Sequence, residues 1–223
     1  MRTIYTIGHS TRTVAELVAV LRAHDIVTLV DVRSIRRSRT NPQFNEAPFA
    51  RALARHDIGY RAIDALGGRR GKAKQPPKLA NDAWQIAAFR NYADHALTAE
   101  FRAGLRELLA TPGPAAIMCA EAVWWRCHRR IVADHLLARG VRVFHIMSKT
   151  SAPAATLTPF AVVERGRVYY PVTAAGEAGV RVPRPSRAAG GARRGRPRPA
   201  RKSPRPRPRQ TSRARETRRA APP

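Results

Sequence analysis

The sequence predicts an α/β fold: an open, mostly parallel, Rossmann-like sheet flanked by helices, with a C-terminal hairpin and a basic tail. Two observations predict it. Short β-branched and apolar runs alternate with segments of helical periodicity along residues 1–175. Polar, chemistry-bearing residues follow the ends of several of those runs, where open α/β sheets bind ligands.

The elements follow in order. Residues 2–7 are β-branched and aromatic and read as a strand, broken by Gly8, His9 and Ser10. Thr13 with Glu16 makes a capping box, and Val14, Leu17, Val18 and Leu21 continue at helical spacing to about Ala23. Residues 27–32 are apolar apart from Thr28 and Asp31, as suits a strand covered on both faces. Strand, helix and strand make a right-handed βαβ unit. Residues 34–48 are a polar loop, 48–55 a helix, 59–63 a short strand and 67–77 a mobile basic loop. Helices are expected over 84–96 and 98–109, stopped by Pro112-Gly113-Pro114. A strand over 115–118 ends at Cys119. A helix then starts near Arg126 or Cys127 and runs to Arg139, with Gly140 as its stop. Residues 141–146 form another strand, and 160–164 with 167–170 a hairpin around Arg165-Gly166. No internal repeat is apparent.

Charge bounds the partners. The chain of 223 residues carries a net charge of +27, of which residues 181–223 hold +15, leaving +12 for the rest. That last stretch has 15 arginines and nine prolines and lacks Leu, Ile, Phe, Tyr and Trp. Such a composition cannot bury enough apolar area to offset the entropy of ordering, so residues 176–223 are expected to be a disordered tail after a domain over 1–175. Arginine-rich charge points to a polyanion, with nucleic acid first and DNA ahead of RNA. A solvated surface of no function is the plain alternative for the tail. Two cysteines are no disulfide framework. With neither a signal segment nor a membrane-length apolar run, the expected compartment is the reducing cytoplasm, open to association with the nucleoid, with no membrane partner. The oligomeric state is left open.

The pieces Thr6-Ile7-Gly8-His9-Ser10-Thr11, Leu29-Val30-Asp31-Val32-Arg33, Asn41-Pro42-Gln43-Phe44-Asn45, Leu66-Gly67-Gly68, Tyr92-Ala93-Asp94, Met118-Cys119-Ala120-Glu121 and Trp125-Arg126-Cys127-His128-Arg129 occur in one order. On these the chain closely resembles the bacterial proteins grouped as domain-of-unknown-function family 488, over about residues 3–148. The resemblance implies a Rossmann-like α/β fold and little agreed function.

Chemistry must therefore be argued from the residues. Catalytic candidates are Glu121, Cys119, His9 and Asp31. Glu121 is the carboxylate best placed to activate water or stabilise an oxocarbenium-like centre, with Asp31 as a possible second. Arg126 and Arg129, with His128, stand at an expected helix N-terminus, where free N–H groups favour a phosphate; the plain alternative is that they face solvent. Trp124 or Trp125 would stack a base, or else pin the loop to the core. His9 and Ser10 would contact the substrate, or cap the next helix. Asp31 and Arg33 read equally as a structural ion pair. Gln43 and Phe44 could read and wedge a base. A metal set from Cys119, Cys127, His128 and His9 has no zinc-signature spacing, with residues on opposite sides of a turn, so no metal or other cofactor is expected.

The expected function is a nucleic-acid-directed enzyme, with removal of a modified pyrimidine at the N-glycosidic bond as the preferred chemistry. Two alternatives stand beside it. Leu29-Val30-Asp31-Val32-Arg33 is similar to the Asp-Val-Arg strand end of rhodanese-like sulfurtransferases, and Cys119 has the placement of their thiol, so a thiol-dependent enzyme is one. Glu121 would raise that thiol's pKa, which argues against it, and whether Cys127 lies close enough to pair with Cys119 is open. A non-catalytic DNA-binding module is the other.

Overall fold

The computed structural model describes residues 1–73 and 80–172. The tail expected over 176–223 and part of the basic loop expected over 67–77 therefore lie outside the described residues. Five strands form one parallel sheet in the order β3-β2-β4-β1-β5: β1 (Thr3–Gly8), β2 (Thr28–Asp31), β3 (Gly59–Ala62), β4 (Ala115–Cys119) and β5 (Arg142–His145). The hairpin β6 (Val162–Glu164) and β7 (Arg167–Tyr169) forms its own antiparallel pair, turning at Arg165-Gly166 with positive φ at both. The α/β architecture and the hairpin are as the sequence predicts. No described helix is long and apolar enough to cross a membrane.

The helices split between the faces. Helix α1 (Val14–Ala23) begins at the expected capping box, in which the Thr13 side chain accepts from the Glu16 N–H and the Glu16 carboxylate accepts from the Thr13 N–H. With α2 (Glu46–Ala54) it buries Leu17, Leu21, Phe49 and Leu53 against Ile7, Leu29 and Met118. On the other face α3 (Ala87–Ala96), α4 (Ala99–Ala110) and α5 (Arg129–Leu137) bury Tyr92, Phe101, Leu105, Ile131 and Leu136 against Ile4, Val30 and Ile117. Neighbouring strand residues thus point into opposite cores, which is why these strands read as continuous apolar runs.

Strand order fixes where a ligand can enter. β1 and β4 lie side by side, yet the chain leaves β1 toward β2 on one flank and leaves β4 toward β5 on the other. Their carboxyl ends diverge into a crevice, the switch point at which open α/β sheets hold ligands. The crevice is stitched by main chain: His9 N–H donates to the Cys119 carbonyl at 2.9 Å and Ser10 N–H to Ala120 at 3.0 Å. A Cβ on Gly8 would lie 1.9 Å from the Glu121 carbonyl oxygen, so only glycine lets the two segments meet.

Two boundaries differ from the sequence reading. Helix α3 starts at Ala87 rather than 84, because Trp84 leaves the helix to pack against Phe89, Phe160 and Tyr170. Helix α5 starts at Arg129, after a 3-10 turn over Trp124–Arg126. Arg126, Cys127 and His128 therefore precede the helix instead of opening it.

Candidate active site

A cavity of about 440 Å³ opens over the switch point. Its wall includes His9 from the end of β1, Arg33 from beyond β2, Cys119 and Glu121 from the end of β4, Arg126, Cys127 and His128 from the following turn, and Gly68 and Arg69 from the segment before α3. Ile35, Ala88 and Phe89 supply apolar surface, and Arg37 and Asn41 add polar groups. Six of the sequence candidates, His9, Arg33, Cys119, Glu121, Arg126 and His128, thus converge on one cavity together with Cys127, and the others do not.

His9 is buried and stacks on Phe44 with ring centroids 4.0 Å apart. Its Nδ1 meets the Ser10 carbonyl at 2.8 Å and its Nε2 lies 3.4 Å from Arg33 Nη1. A carbonyl only accepts and a guanidinium only donates, so the proton sits on Nδ1 and the ring is neutral. Burial lowers its pKa to about 4, and Arg33 adds to the effect.

Asp31 and Arg33 form a buried pair. The carboxylate accepts from the Arg33 backbone N–H at 2.9 Å, from Arg33 Nε at 3.0 Å, from Nη2 at 2.6 Å and from the Tyr60 hydroxyl at 2.8 Å. Arg33 Nη2 also donates to the Phe44 carbonyl at 2.8 Å. Asp31 is fully buried and outside the cavity wall, so the pair is structural, and its role is to hold His9 and Phe44 in place. Phe44 is likewise enclosed and is a packing residue rather than a base wedge. Gln43 reaches back to the Arg12 carbonyl at 3.4 Å, and neither it nor Ser10 lines the cavity.

The phosphate clamp expected at the helix start is not built that way. Arg129 is buried; its Nη2 donates to the Glu121 carbonyl at 2.6 Å and its Nε to Cys127 Sγ at 3.3 Å. The first amides of α5 are also taken, since Arg130 N–H bonds to the Cys127 carbonyl and Ile131 N–H to that of His128. Trp124 stacks flat on His145 at 4.2 Å and 7°, with Trp125 edge-on to it at 5.5 Å, and neither lines the cavity. Trp124 holds the loop against β5, while Trp125 is exposed. The positive charge of the cavity comes instead from Arg37, Arg69 and Arg126, all exposed and without an ion-pair partner among the described residues, facing the single carboxylate Glu121. Arg37 and Arg69 were missed by sequence reasoning; their signal was the arginine density of residues 33–39 and 69–70.

The turn that seemed to separate the cysteines brings them together. Cys119 Sγ, Cys127 Sγ and a nitrogen of His128 lie within 4.8 Å of one another. His128 Nδ1 is 3.5 Å from Cys127 Sγ and 3.9 Å from Cys119 Sγ. The objection from spacing fails because one thiol comes from a strand end and the other two groups from the turn before α5. His9 is not part of the cluster. The pair shares its charge unequally. The neighbouring Cys127 sulfur and burial raise the Cys119 thiol, while Cys119 and the Arg129 guanidinium lower the Cys127 thiol well below its ordinary value against the effect of burial. The Cys119 thiol is thus raised chiefly by its neighbouring thiol and not by the Glu121 carboxylate. Only Cys119 is partly exposed, and both thiols are free. Gly68 permits this arrangement: a Cβ there would lie 2.3 Å from His128 Nδ1. Tyr92, enclosed and donating to the Leu66 carbonyl, packs against the same ring at 4.8 Å.

A family model described as Domain of unknown function DUF488 matches residues 13–136. No curated protein and no solved structure matches the chain.

Proposed function

The chain belongs to the family described as Domain of unknown function DUF488, and from its site we propose that it is an enzyme acting on nucleic acid or a nucleotide. One observation carries this reading: a single carboxylate, Glu121, stands in a cavity whose other charged lining side chains are Arg33, Arg37, Arg69 and Arg126. Three unpaired guanidinium groups suit a phosphate-bearing ligand, because their forks match its oxygens. Ile35, Ala88 and Phe89 give the apolar wall a base or sugar needs. The chemistry we assign is hydrolytic. Glu121 takes a proton from a water, the water oxygen bonds to the carbon that carries the base, the carbon–nitrogen bond breaks, and the proton held by Glu121 passes to the leaving base. His9, neutral and held through both ring nitrogens, shapes the cavity wall and positions Arg33.

The test is an incision screen. Labelled duplexes carrying different modified bases are incubated with the protein and treated with alkali to cut at abasic sites. The reading expects one substrate to be cut and the activity to fall by about 10²–10⁴-fold in Glu121→Gln. Equal activity in Glu121→Gln would remove the carboxylate from the chemistry.

The second reading is a thiol-dependent enzyme, favoured by the Cys119 and Cys127 sulfurs lying within 4.8 Å of each other at the cavity. It predicts that Cys119→Ser abolishes sulfur transfer or dithiol oxidation while Glu121→Gln leaves it intact.

A further inference from the structure

The same three side chains carry more than thiol chemistry. His128 Nε2 lies 3.1 Å from the Val32 carbonyl. A carbonyl oxygen only accepts, so Nε2 bears the proton and the Nδ1 lone pair faces the two sulfurs. Its distances to them, 3.5 and 3.9 Å, approach the edge of about 3.5 Å that a tetrahedral centre with metal–sulfur and metal–nitrogen bonds of about 2.3 and 2.0 Å requires. Two of the three groups are braced from outside: the imidazole by Val32, and the Cys127 sulfur by the Arg129 Nε–H at 3.3 Å. Gly68 and Tyr92 fix the ring plane. Cys119, Cys127 and His128 all line the cavity, Cys127 being the most buried of the three.

We propose that Cys119, Cys127 and His128 form a zinc site with three protein ligands, whose fourth position opens into the cavity that Glu121 also lines. Two sulfurs and an imidazole select zinc over magnesium or calcium. Two thiolates cancel the ion's charge, so the complex adds no net charge to a cavity already rich in arginine; a site of neutral ligands would be repelled there. Three protein ligands with one open position is the arrangement of catalytic rather than structural zinc. A zinc ion there would lower the pKa of a water bound in the open position, the chemistry that a hydrolytic reaction needs. Binding is measured without any nucleic acid, so failure here and failure of the incision screen are separate results.

The full chain is purified with reductant and without chelator, and its metal content is measured by mass spectrometry. The metal-free protein is then titrated with cobalt(II). The proposal expects stoichiometric zinc, and a cobalt spectrum with thiolate charge-transfer bands in the near ultraviolet and strong tetrahedral bands in the red. Both are lost in His128→Gln and Cys127→Ser. As those variants alter a buried cluster, a wild-type readout stands beside them: added zinc should protect Cys119 and Cys127 together from alkylation, located by peptide mapping. Retention of no zinc, a weak octahedral cobalt spectrum and alkylation indifferent to zinc would overturn the site. So would a Cys119–Cys127 disulfide that, once reduced, yields a chain unable to take up zinc.

Discussion

Replacing Arg33 by methionine tests the frame beneath the site. The Asp31 carboxylate is fully buried, and three of its four donors belong to Arg33, two of them on the guanidinium. Methionine keeps the backbone donor and fills much of the space but withdraws the charge. The remaining partners, one amide and the Tyr60 hydroxyl, do not compensate a buried anion. Breaking such a pair costs about 3–5 kcal/mol, which lowers the folding equilibrium constant by roughly two to four orders of magnitude. With a urea dependence of about 2 kcal/mol per molar, the unfolding midpoint should fall by about 1.5–2.5 M. Adding Asp31→Asn to the same chain should recover part of the loss, because the stranded charge is then gone, and the departure from additivity should reach about 0.5–3 kcal/mol. Circular dichroism in urea measures all three variants. A loss below about 1 kcal/mol in Arg33→Met, or strict additivity in the double variant, would refute the claim that this pair is desolvated and coupled.

Other outcomes follow from the same geometry. Gly68→Ala should push the His128 ring from its place, costing about 1–3 kcal/mol in urea unfolding and abolishing cobalt binding; unchanged cobalt spectra would mean the ring has room that the structure denies it. Burial holds His9 and His145 near pKa 4 and His135 near 3, below the ordinary value of 6.5. The unfolded chain therefore binds more protons, so stability is full above about pH 6.5 and falls as the pH drops toward 4; Asp134, raised by burial, opposes this at the acid end. Urea midpoints flat from pH 7 to 4.5 would contradict it. Deleting residues 181–223 removes a charge of +15, and should weaken duplex binding and flatten its salt dependence without changing the preferred substrate. An unchanged salt slope would take the tail out of nucleic-acid binding.

What the sequence made legible was local. The capping box at Thr13 and Glu16, the buried run ending at Asp31 and the hairpin at Arg165-Gly166 all depend on neighbours in the chain, and each appears in the structure. The Asp31–Arg33 pair was legible for the same reason, being two residues apart on one strand end. What escaped depends on distant partners. The 3-10 turn at Trp124–Arg126 replaces a helix start because Trp124 stacks on His145 and Arg129 folds back to the Glu121 carbonyl. Nothing in the local spacing of these residues records those contacts. The meeting of Cys119 with Cys127 and His128 depends on that turn, and the position of His128 on the bare Cα of Gly68, 60 residues earlier in the chain. The arginines at the expected helix start were visible, but which one faces the cavity was not. Arg126 lines it, while Arg129 is spent on carbonyls within the loop.

Glu121 is proposed as the working carboxylate of a cationic cavity suited to a phosphate-bearing ligand. The most direct test compares wild-type protein with Glu121→Gln on the substrate found by the incision screen, measuring binding and single-turnover cleavage together. Affinity should be kept, since Arg37, Arg69 and Arg126 remain, while the cleavage rate falls by about 10²–10⁴-fold. Cleavage at the wild-type rate by Glu121→Gln, or loss of affinity with no change in rate, would contradict it.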